Sequence, residues 1–327
     1  MKKCNIGGQA VLEGVMMKAP DRIAIAVRTA DGSIETQTQE VSQLKDKYHV
    51  LGIPIIRGAV TFIETMIIGI KSLMTSAELY GDEELEEKPS KFEKFISDKM
   101  GAKIEDVMVY TALVFAILFA IALFIVLPTF ITNFLRSFVE SDVWMNIIEG
   151  LIRLGIFLIY IVAITQMKDI RRVFEYHGAE HKTIHCFEHE EELCVENARK
   201  YTTLHPRCGT AFLLIVMVIS IFVFSFLGWQ NMLIRVLTRV LLLPVVAGIS
   251  YEIIKWAGRS NSKAVGIIMY PGLMLQKLTT RERDDSQLEV AIHAFLAAAG
   301  QEVSKNNDPL GSELKDNLEP ALNSKLG

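Results

Sequence analysis

Long runs of apolar residues constrain this chain more than any other feature. Val107–Pro128 (VMVYTALVFAILFAIALFIVLP) contains no charged residue, and Thr210–Trp229 is a second uncharged run. A helix that crosses the hydrocarbon core of a bilayer needs about 20 predominantly apolar residues, so both runs are predicted to be transmembrane helices. Half of the 327 residues are hydrophobic although 22% are charged, which fits long apolar runs separated by polar connections.

Two further apolar runs, Ile147–Gln166 and Met232–Ile254, contain charged residues near one end. These are Glu149 and Arg153 in the first run, and Arg235 and Arg239 in the second. Charges near the end of a span reach the interface or pair inside a helix bundle, so both runs are predicted to cross as well. The predicted fold is mainly α-helical and polytopic, with a four-helix membrane unit over 106–255 and spans at about 107–128, 147–166, 210–229 and 232–254.

Lysine and arginine residues are distributed unevenly over the connections between these spans. They collect before the first span, in the connection 167–209 and after the last span, whereas the opposite side offers Arg136, Arg235 and Arg239. Cytosolic loops carry the excess of basic residues, so both termini and the connection 167–209 are predicted to face the cytosol. The net charge of −4 gives no reason to expect nucleic-acid binding, and the lipid bilayer is the expected partner.

The N-terminal region 1–50 is predicted to be a small cytosolic β region. Arg22–Thr29 and Ile34–Val41 both alternate in polarity around a turn at Asp31-Gly32, which indicates a β-hairpin. Segment 51–80 is apolar but carries charged residues at seven-residue intervals along one helical stripe, namely Arg57, Glu64 and Lys71. It is interpreted as an amphipathic helix that lies in the membrane interface or re-enters the bilayer, with an ordinary packed helix as the alternative.

The remaining polar segments divide into three parts. Residues 81–105 form a charged linker, and 256–300 form a C-terminal cytosolic region with a short amphipathic helix at Gln287–Ala299. The polar tail 301–327 is predicted to be disordered. The four cysteines have no disulfide-type spacing, so reduced thiols are expected.

Four histidines lie four residues apart in the cytosolic connection: His177, His181, His185 and His189. This spacing places them along one face of a helix. Because Lys168–Glu192 contains no proline, this helix is expected to continue the preceding span without a break. Two histidines at positions i and i+4 can bind the same metal ion, so the segment is a cytosolic His-rich helix with a predicted metal site.

The first two histidines form the pattern H-x-x-E-H with Glu180, which is the inverted zinc-protease motif. His177 and His181 would bind Zn²⁺ or another divalent metal, and Glu180 would be the general base toward a water whose pKa the metal lowers to about 7. A third protein ligand is required. Glu252 and His205 are the main candidates for it, Glu13 is a remote one, and Cys208 is a further soft candidate.

Four motifs in the chain carry a family resemblance. They are CNIGGQAVLEGVMM from Cys4, YHGAEHKTIHCFE from Tyr176, LHPRCGT from Leu204 and YPGLMLQKLTTRE from Tyr270. Together they resemble the YqhQ-like bacterial membrane proteins, a domain-of-unknown-function family described as predicted metal-dependent enzymes. The resemblance extends to about Gly300 and implies a bacterial cytoplasmic (inner) membrane location, with His177, Glu180, His181 and His205 at the family's candidate positions.

Three functions fit these features. The first is a membrane-embedded metal-dependent hydrolase, such as a peptidase, that acts at the cytosolic membrane face. The alternative is a non-enzymatic assembly or quality-control factor with a structural metal site, whose partners would be membrane or nascent polypeptides. A transport-type protein ranks third, because the sequence has no broken-helix pair or inverted repeat. Glu180 separates the first two, since a hydrolase needs its carboxylate and a structural site does not.

Overall fold

The structure is a computed structural model that describes residues 5–41, 49–81, 104–206, 208–228, 231–257, 262–282 and 284–301. The chain forms two compact units. The first unit comprises Met1–Asp82, Ile161–Ile215 and Ala247–Gly327, and the second comprises Glu83–Tyr160 and Val216–Val246. Most of the predicted linker 81–105 and nearly all of the predicted disordered tail 301–327 lie outside the described residues.

The first unit contains a four-stranded antiparallel sheet in the order β1-β2-β3-β4. Its strands are β1 (Gly7–Val11), β2 (Gly14–Lys18), β3 (Arg22–Arg28) and β4 (Ile34–Glu40). The predicted hairpin is confirmed as β3 and β4. The strands β1 and β2 were not predicted, because each has only five residues and begins with glycine, which leaves too few side chains to show the alternation of a half-exposed strand.

Ten helices complete the described part of the chain. They are α1 (Ile56–Tyr80), α2 (Ile104–Ile121), α3 (Leu127–Asn133), α4 (Asp142–Ile164), α5 (Lys168–Glu188), α6 (Val195–Ala198), α7 (Gly209–Ser225), α8 (Met232–Ala257), α9 (Lys263–Thr279) and α10 (Asp285–Ala298). A five-residue π-helical segment, Ala122–Val126, joins α2 to α3, and a short 3₁₀ helix, His49–Gly52, precedes α1. The boundaries between the two units fall inside α4, α7 and α8.

Four helices in the described part are long and apolar enough to cross a membrane: Ile56–Tyr80, Val107–Asn133, Asp142–Ile164 and Met232–Ala257. The last three correspond to predicted spans. The predicted span 210–229 appears as α7, which is apolar but has only 17 residues. Helix α1, predicted to be interfacial or re-entrant, meets the length and composition of a span. The protein is thus mainly helical with apolar helices compatible with a multipass membrane protein.

Helices cover both faces of the sheet. Strand β3 places its large residues on one face and its small residues on the other. Ile23, Ile25 and Val27 lie in a core that α1 covers. Ala24 and Ala26 lie in the opposite core, which is formed with α5 and α10. Helix α10 is also rich in alanine, so it can pack closely on the sheet. The sequence predicted an amphipathic helix here, which would be buried on one side only. The helix is present, but most of its residues are buried.

The predicted continuous helix from the preceding span into the cytosolic segment is wrong. Helix α4 ends at Ile164, and Met167, in extended backbone conformation, precedes the start of α5 at Lys168. Near this break the Thr165 hydroxyl donates a hydrogen bond to the Val162 carbonyl at 2.7 Å. Hydroxyls that bond the carbonyls of the preceding turn compete with the helical ladder. The break frees α5 to follow its own direction and pack against the sheet.

Three buried charged residues of the second unit, Glu149, Arg153 and Arg239, pair with one another. Glu149 is fully buried, accepts hydrogen bonds from Arg153 at 3.1 Å and Thr129 at 2.8 Å, and forms an ion pair with Arg239. The Arg153 Nε also donates to the Phe124 carbonyl at 2.8 Å. The residue four positions after Phe124 is a proline, which has no N–H group to donate an α-helical hydrogen bond to this carbonyl. The buried charges therefore join α3, α4 and α8 within this unit.

We predict that Glu149→Gln lowers the free energy of unfolding by about 3 kcal/mol, because Arg153 and Arg239 lose the carboxylate that they share in a buried site. Thermal unfolding of the detergent-solubilised protein measures the change. Asp142→Asn is the matched control, since its ion pair with Arg136 is exposed and contributes less than about 1 kcal/mol. Equal losses in both variants would contradict the prediction.

Candidate metal centre

Three potential metal ligands converge beside α5 in the first unit. His177 and His181 lie one turn apart on this helix, with 4.5 Å between their ring centroids. Cys208 comes from the connection before α7, and its Sγ is 3.1 Å from the Nε2 of His177. The ligand atoms of all three residues lie within 4.8 Å of one another. The predicted histidine pair is therefore joined by the cysteine.

Both histidines hold their other ring nitrogen against a backbone carbonyl. The Nδ1 of His177 is 2.8 Å from the Thr279 oxygen, and the Nδ1 of His181 bonds the Thr203 oxygen. A carbonyl only accepts hydrogen bonds, so each Nδ1 carries the proton and each Nε2 keeps its lone pair. This arrangement fixes the ring of a metal-binding histidine and sets its tautomer.

Two glycines allow the chain to approach these side chains closely. A Cβ on Gly178 would lie 2.1 Å from the backbone oxygen of Arg281, so only glycine lets the segment after α9 cross α5 at this point. That crossing brings the Thr279 carbonyl to His177. A Cβ on Gly8 of β1 would lie 2.9 Å from the Cδ of Glu180. The close packing of β1 on α5 therefore depends on this second glycine.

The electrostatic environment favours the metal-binding forms of these side chains. Burial opposes ionisation of the Cys208 thiol, but hydrogen bonds with His181 and Thr210 outweigh it, and the net pKa of the thiol is lowered. Burial lowers the pKa of His181, which keeps its ring neutral. A thiolate and a neutral imidazole are the forms that bind metals.

Glu180, the predicted general base, is 4% exposed and lies beside this group. Burial raises the pKa of its carboxyl to about 7, although the charge of His177 and a hydrogen bond from the Gly8 backbone act against the increase. Its Oε2 has no hydrogen-bond partner among the residues that the structure describes. A buried carboxylate oxygen without a partner is costly, so this atom is suited to bond a water or substrate.

A cavity of about 750 Å³ gives access to the group. Its lining includes His177, Glu180, His181, His205 and Cys208 together with residues of β1, α1 and the start of α7. Many of the other lining residues are apolar, among them Ile6, Met16, Ile68, Phe174, Ile184 and Leu213. The cavity thus combines an apolar wall with a few convergent polar groups, which is typical of a binding site for a small molecule or peptide segment.

The donor set fits Zn²⁺. Two imidazole nitrogens and one thiolate are ligands that zinc prefers, and catalytic zinc sites use three protein ligands and leave a fourth position for water or substrate. The hydrogen-bonded Nδ1 atoms and the unpartnered Glu180 oxygen support this fit.

The other predicted ligands have different partners. Glu252 accepts a hydrogen bond from Arg57 at 2.6 Å and lies in neither of the two ligand groups of the described residues. Glu13 pairs with Arg172 and accepts a hydrogen bond from Tyr176 at 3.3 Å. His205 belongs to a second group, with His185 and Glu188. Cys208 was a further, soft candidate, and its separation of three residues from His205 gave no sign that the two residues belong to different groups.

The protein thus combines apolar helices of the kind found in multipass membrane proteins with a histidine–cysteine group that could hold a metal ion. The model of the family "Protein of unknown function (DUF1385)" matches residues 53–301, and the chain belongs to this family. It is 35% identical over 297 residues to "Uncharacterized protein YqhQ" of Bacillus subtilis (strain 168), covering 88% of this chain and 90% of that protein. The YqhQ-like resemblance is thereby confirmed. No solved structure matches.

We predict that the Co²⁺-loaded protein shows a sulfur-to-cobalt charge-transfer band in its ultraviolet absorption spectrum, because a thiolate binds the ion. Cys208→Ser should abolish the band. Cys194→Ser is the control, because Cys194 lies outside both ligand groups, and it should leave the band unchanged. A band that persists in Cys208→Ser would exclude Cys208 as the ligand.

Proposed function

We propose that this protein is a membrane-embedded, metal-dependent hydrolase that acts at the cytosolic face of the membrane. One observation carries the proposal: the carboxyl of Glu180, whose Oε2 has no hydrogen-bond partner in the described part of the chain, shares a cavity with His177, His181 and Cys208. A structural metal site needs its ligands alone. A hydrolytic site also needs a base that contacts a water beside the metal, and a buried carboxyl with a pKa near 7 suits that role at neutral pH.

In this proposal, each residue has a defined task. A bound Zn²⁺ would supply Lewis acidity, polarising a substrate carbonyl and making a nearby water more acidic. Glu180 accepts the proton of the attacking water at Oε2 and delivers it to the leaving group. The Gly8 N–H orients this carboxyl, and the Thr279 and Thr203 carbonyls hold the histidine rings in place. The apolar wall of the cavity limits access of bulk water.

An assembly or quality-control factor with a structural metal is the second proposal. Its support is the apolar surface of α1, where Ile63, Met66 and Ile67 are about half exposed. Such a surface can contact hydrophobic segments of other membrane proteins as well as lipid. This function does not require the Glu180 carboxylate.

We infer the membrane topology from the core of the first unit. The sheet, α5 and α10 share one hydrophobic core, which favours a position on the same side of a membrane. The chain between β4 and α5 then crosses an even number of times. The helix Val107–Asn133 and α4 would supply two crossings, so we propose that α1 does not cross although it is long and apolar enough.

By the same argument, the chain between α5 and α10 crosses the membrane an even number of times. Helix α8 supplies one crossing, and α7 is the other apolar helix in this part of the described chain. Its 17 residues extend about 26 Å at 1.5 Å per residue, close to the thickness of the hydrocarbon core, about 30 Å. We therefore infer four crossings, as predicted from the sequence, and the basic residues favour cytosolic termini.

We predict that Glu180→Gln abolishes function in complementation of a deletion strain but retains bound metal. The change keeps the size of the side chain and removes its basicity, and loss of a general base lowers activity by about 100-fold or more. Glu175→Gln, the same change at a buried position of α5 outside this cavity, should complement.

The outcome separates the two proposals. If Glu180→Gln complements fully while His181→Ala does not, the metal is structural and the assembly-factor proposal is favoured. If both variants complement, this centre does not carry the function. Metal content and thermal unfolding of each purified variant would show that a negative result does not come from misfolding.

We also predict that a membrane-impermeant thiol reagent labels Lys88→Cys and Glu190→Cys only from the cytosol and Ser141→Cys only from outside. The background carries Cys4→Ser and Cys194→Ser, since Cys186 and Cys208 are buried. Intact cells and inverted vesicles give the two measurements. Position 88 follows α1, so external labelling there would show that α1 crosses the membrane.

A further inference from the structure

A second group of ligand-type side chains lies next to the first along α5. His185 and Glu188 are three residues apart on this helix, and His205 reaches them from the connection that also carries Cys208. The ligand atoms of the three lie within 4.8 Å of one another. Residues at positions i and i+3 of a helix share one face, so the helix itself brings the first two together.

Hydrogen bonds hold both histidines of this group in place. The Nε2 of His185 is 2.9 Å from the Leu204 oxygen and donates to that carbonyl, which fixes the orientation of the ring. The buried side chain of Gln276 makes two hydrogen bonds with the backbone of His205. It donates to the carbonyl and accepts from the N–H, both at 2.8 Å. The loop that presents the His205 ring is therefore held independently of any ion.

The donor atoms of this group are of the types that bind divalent cations. Glu188 and His205 are almost completely buried, and the His205 Nε2 is 3.5 Å from the Glu188 Oε2. A carboxylate oxygen close to imidazole nitrogens is a donor set that divalent ions bind.

The two groups are immediate neighbours. The His205 ring centroid is 4.8 Å from that of His185 and 5.6 Å from that of His181 in the first group. Their donor sets differ, since the first group offers two imidazoles and a thiolate and the second offers two imidazoles and a carboxylate. Oxygen and imidazole ligands bind Mn²⁺, Fe²⁺ and Zn²⁺, whereas a thiolate selects softer ions.

We propose that His185, Glu188 and His205 form a second divalent-cation site, so that α5 carries a two-ion centre. This goes beyond the proposed hydrolase, because the second site exists whether or not Glu180 is a catalytic base. His205, predicted from the sequence as a third ligand for the His177–His181 pair, instead binds the second ion. His205 also lines the cavity, so a second ion held by this group would add its charge next to the first site, as in two-metal sites that stabilise both oxygens of a reacting group.

The count of bound ions tests the second site. The detergent-purified native protein, loaded with Zn²⁺ and dialysed, should contain about two Zn²⁺ per chain by elemental analysis, and Glu188→Gln or His205→Ala about one. His177→Ala should also retain about one ion, and His177→Ala combined with Glu188→Gln almost none. The controls are His189→Ala and Glu190→Gln, which remove the same functional groups at exposed positions one or two residues from Glu188 and should retain two.

Three results of this ion count would overturn the proposal. One ion in the native protein, lost with His177→Ala and retained with Glu188→Gln and His205→Ala, would leave the second group without an ion. One ion lost equally in His177→Ala and His205→Ala would mean that the two groups form a single site. Absence of Zn²⁺ from the native protein would remove both sites.

A second measurement separates loss of an ion from loss of the fold. Mn²⁺ suits the carboxylate-containing group and not the thiolate group, so its electron paramagnetic resonance signal reports on the second site. The metal-free native protein and Cys208→Ser should both bind Mn²⁺, and Glu188→Gln should not, although its thermal unfolding midpoint without metal stays close to the native one. Mn²⁺ binding by Glu188→Gln would overturn the proposal. Full complementation by Glu180→Gln would refute the hydrolase alone and leave these counts unchanged.

Discussion

The packing of α5 against the N-terminal sheet and α10 is the constraint on which the rest of the structure depends. Tyr176, Ala179 and Ile184 place one side of α5 in the same hydrophobic core as the sheet and α10. The histidines of α5 lie on its other side, where their ring nitrogens are close to Cys208 and His205 outside that core. One helix therefore both completes a hydrophobic core and presents two sets of ligand atoms. The break after α4 makes this possible, because it releases α5 from the direction of the preceding helix.

The same packing bears on the proposed membrane topology. In that proposal the number of crossings on each side of α5 is even, because the sheet, α5 and α10 share a core. Length and hydropathy alone select α1 over α7, since α1 has 25 residues and α7 has 17. Helix α1 nevertheless contacts the sheet at Ser76, whose hydroxyl accepts the Leu12 N–H at 3.2 Å, and contacts α8 at Gly58. These contacts are the reason for proposing that α1 does not cross the membrane.

Two kinds of buried charge occur in the protein, and they have different consequences. In the second unit, Glu149 is surrounded by arginines and by hydroxyl and amide groups, so its charge is compensated by the protein itself and serves to join helices. In the first unit, Glu180 and Glu188 are buried beside histidines rather than arginines. A carboxylate in such surroundings is stabilised by a cation or by a proton. This contrast is the physical reason why the first unit, and not the second, is the candidate for metal chemistry.

The sequence by itself determined the features that depend on neighbours along the chain. The apolar runs, the β3–β4 hairpin, the α1 helix and the one-turn spacing of His177 and His181 are all local patterns, and the structure contains each of them. The tertiary structure alone decided which distant residues meet. Cys208 reaches the histidine pair because the Thr203 and Thr279 carbonyls and Gln276 hold the intervening segments, whereas Glu252 is drawn to Arg57. Spacing along one helix identifies residues that share a face, but the third ligand comes from another segment, and its position depends on packing that no local pattern encodes.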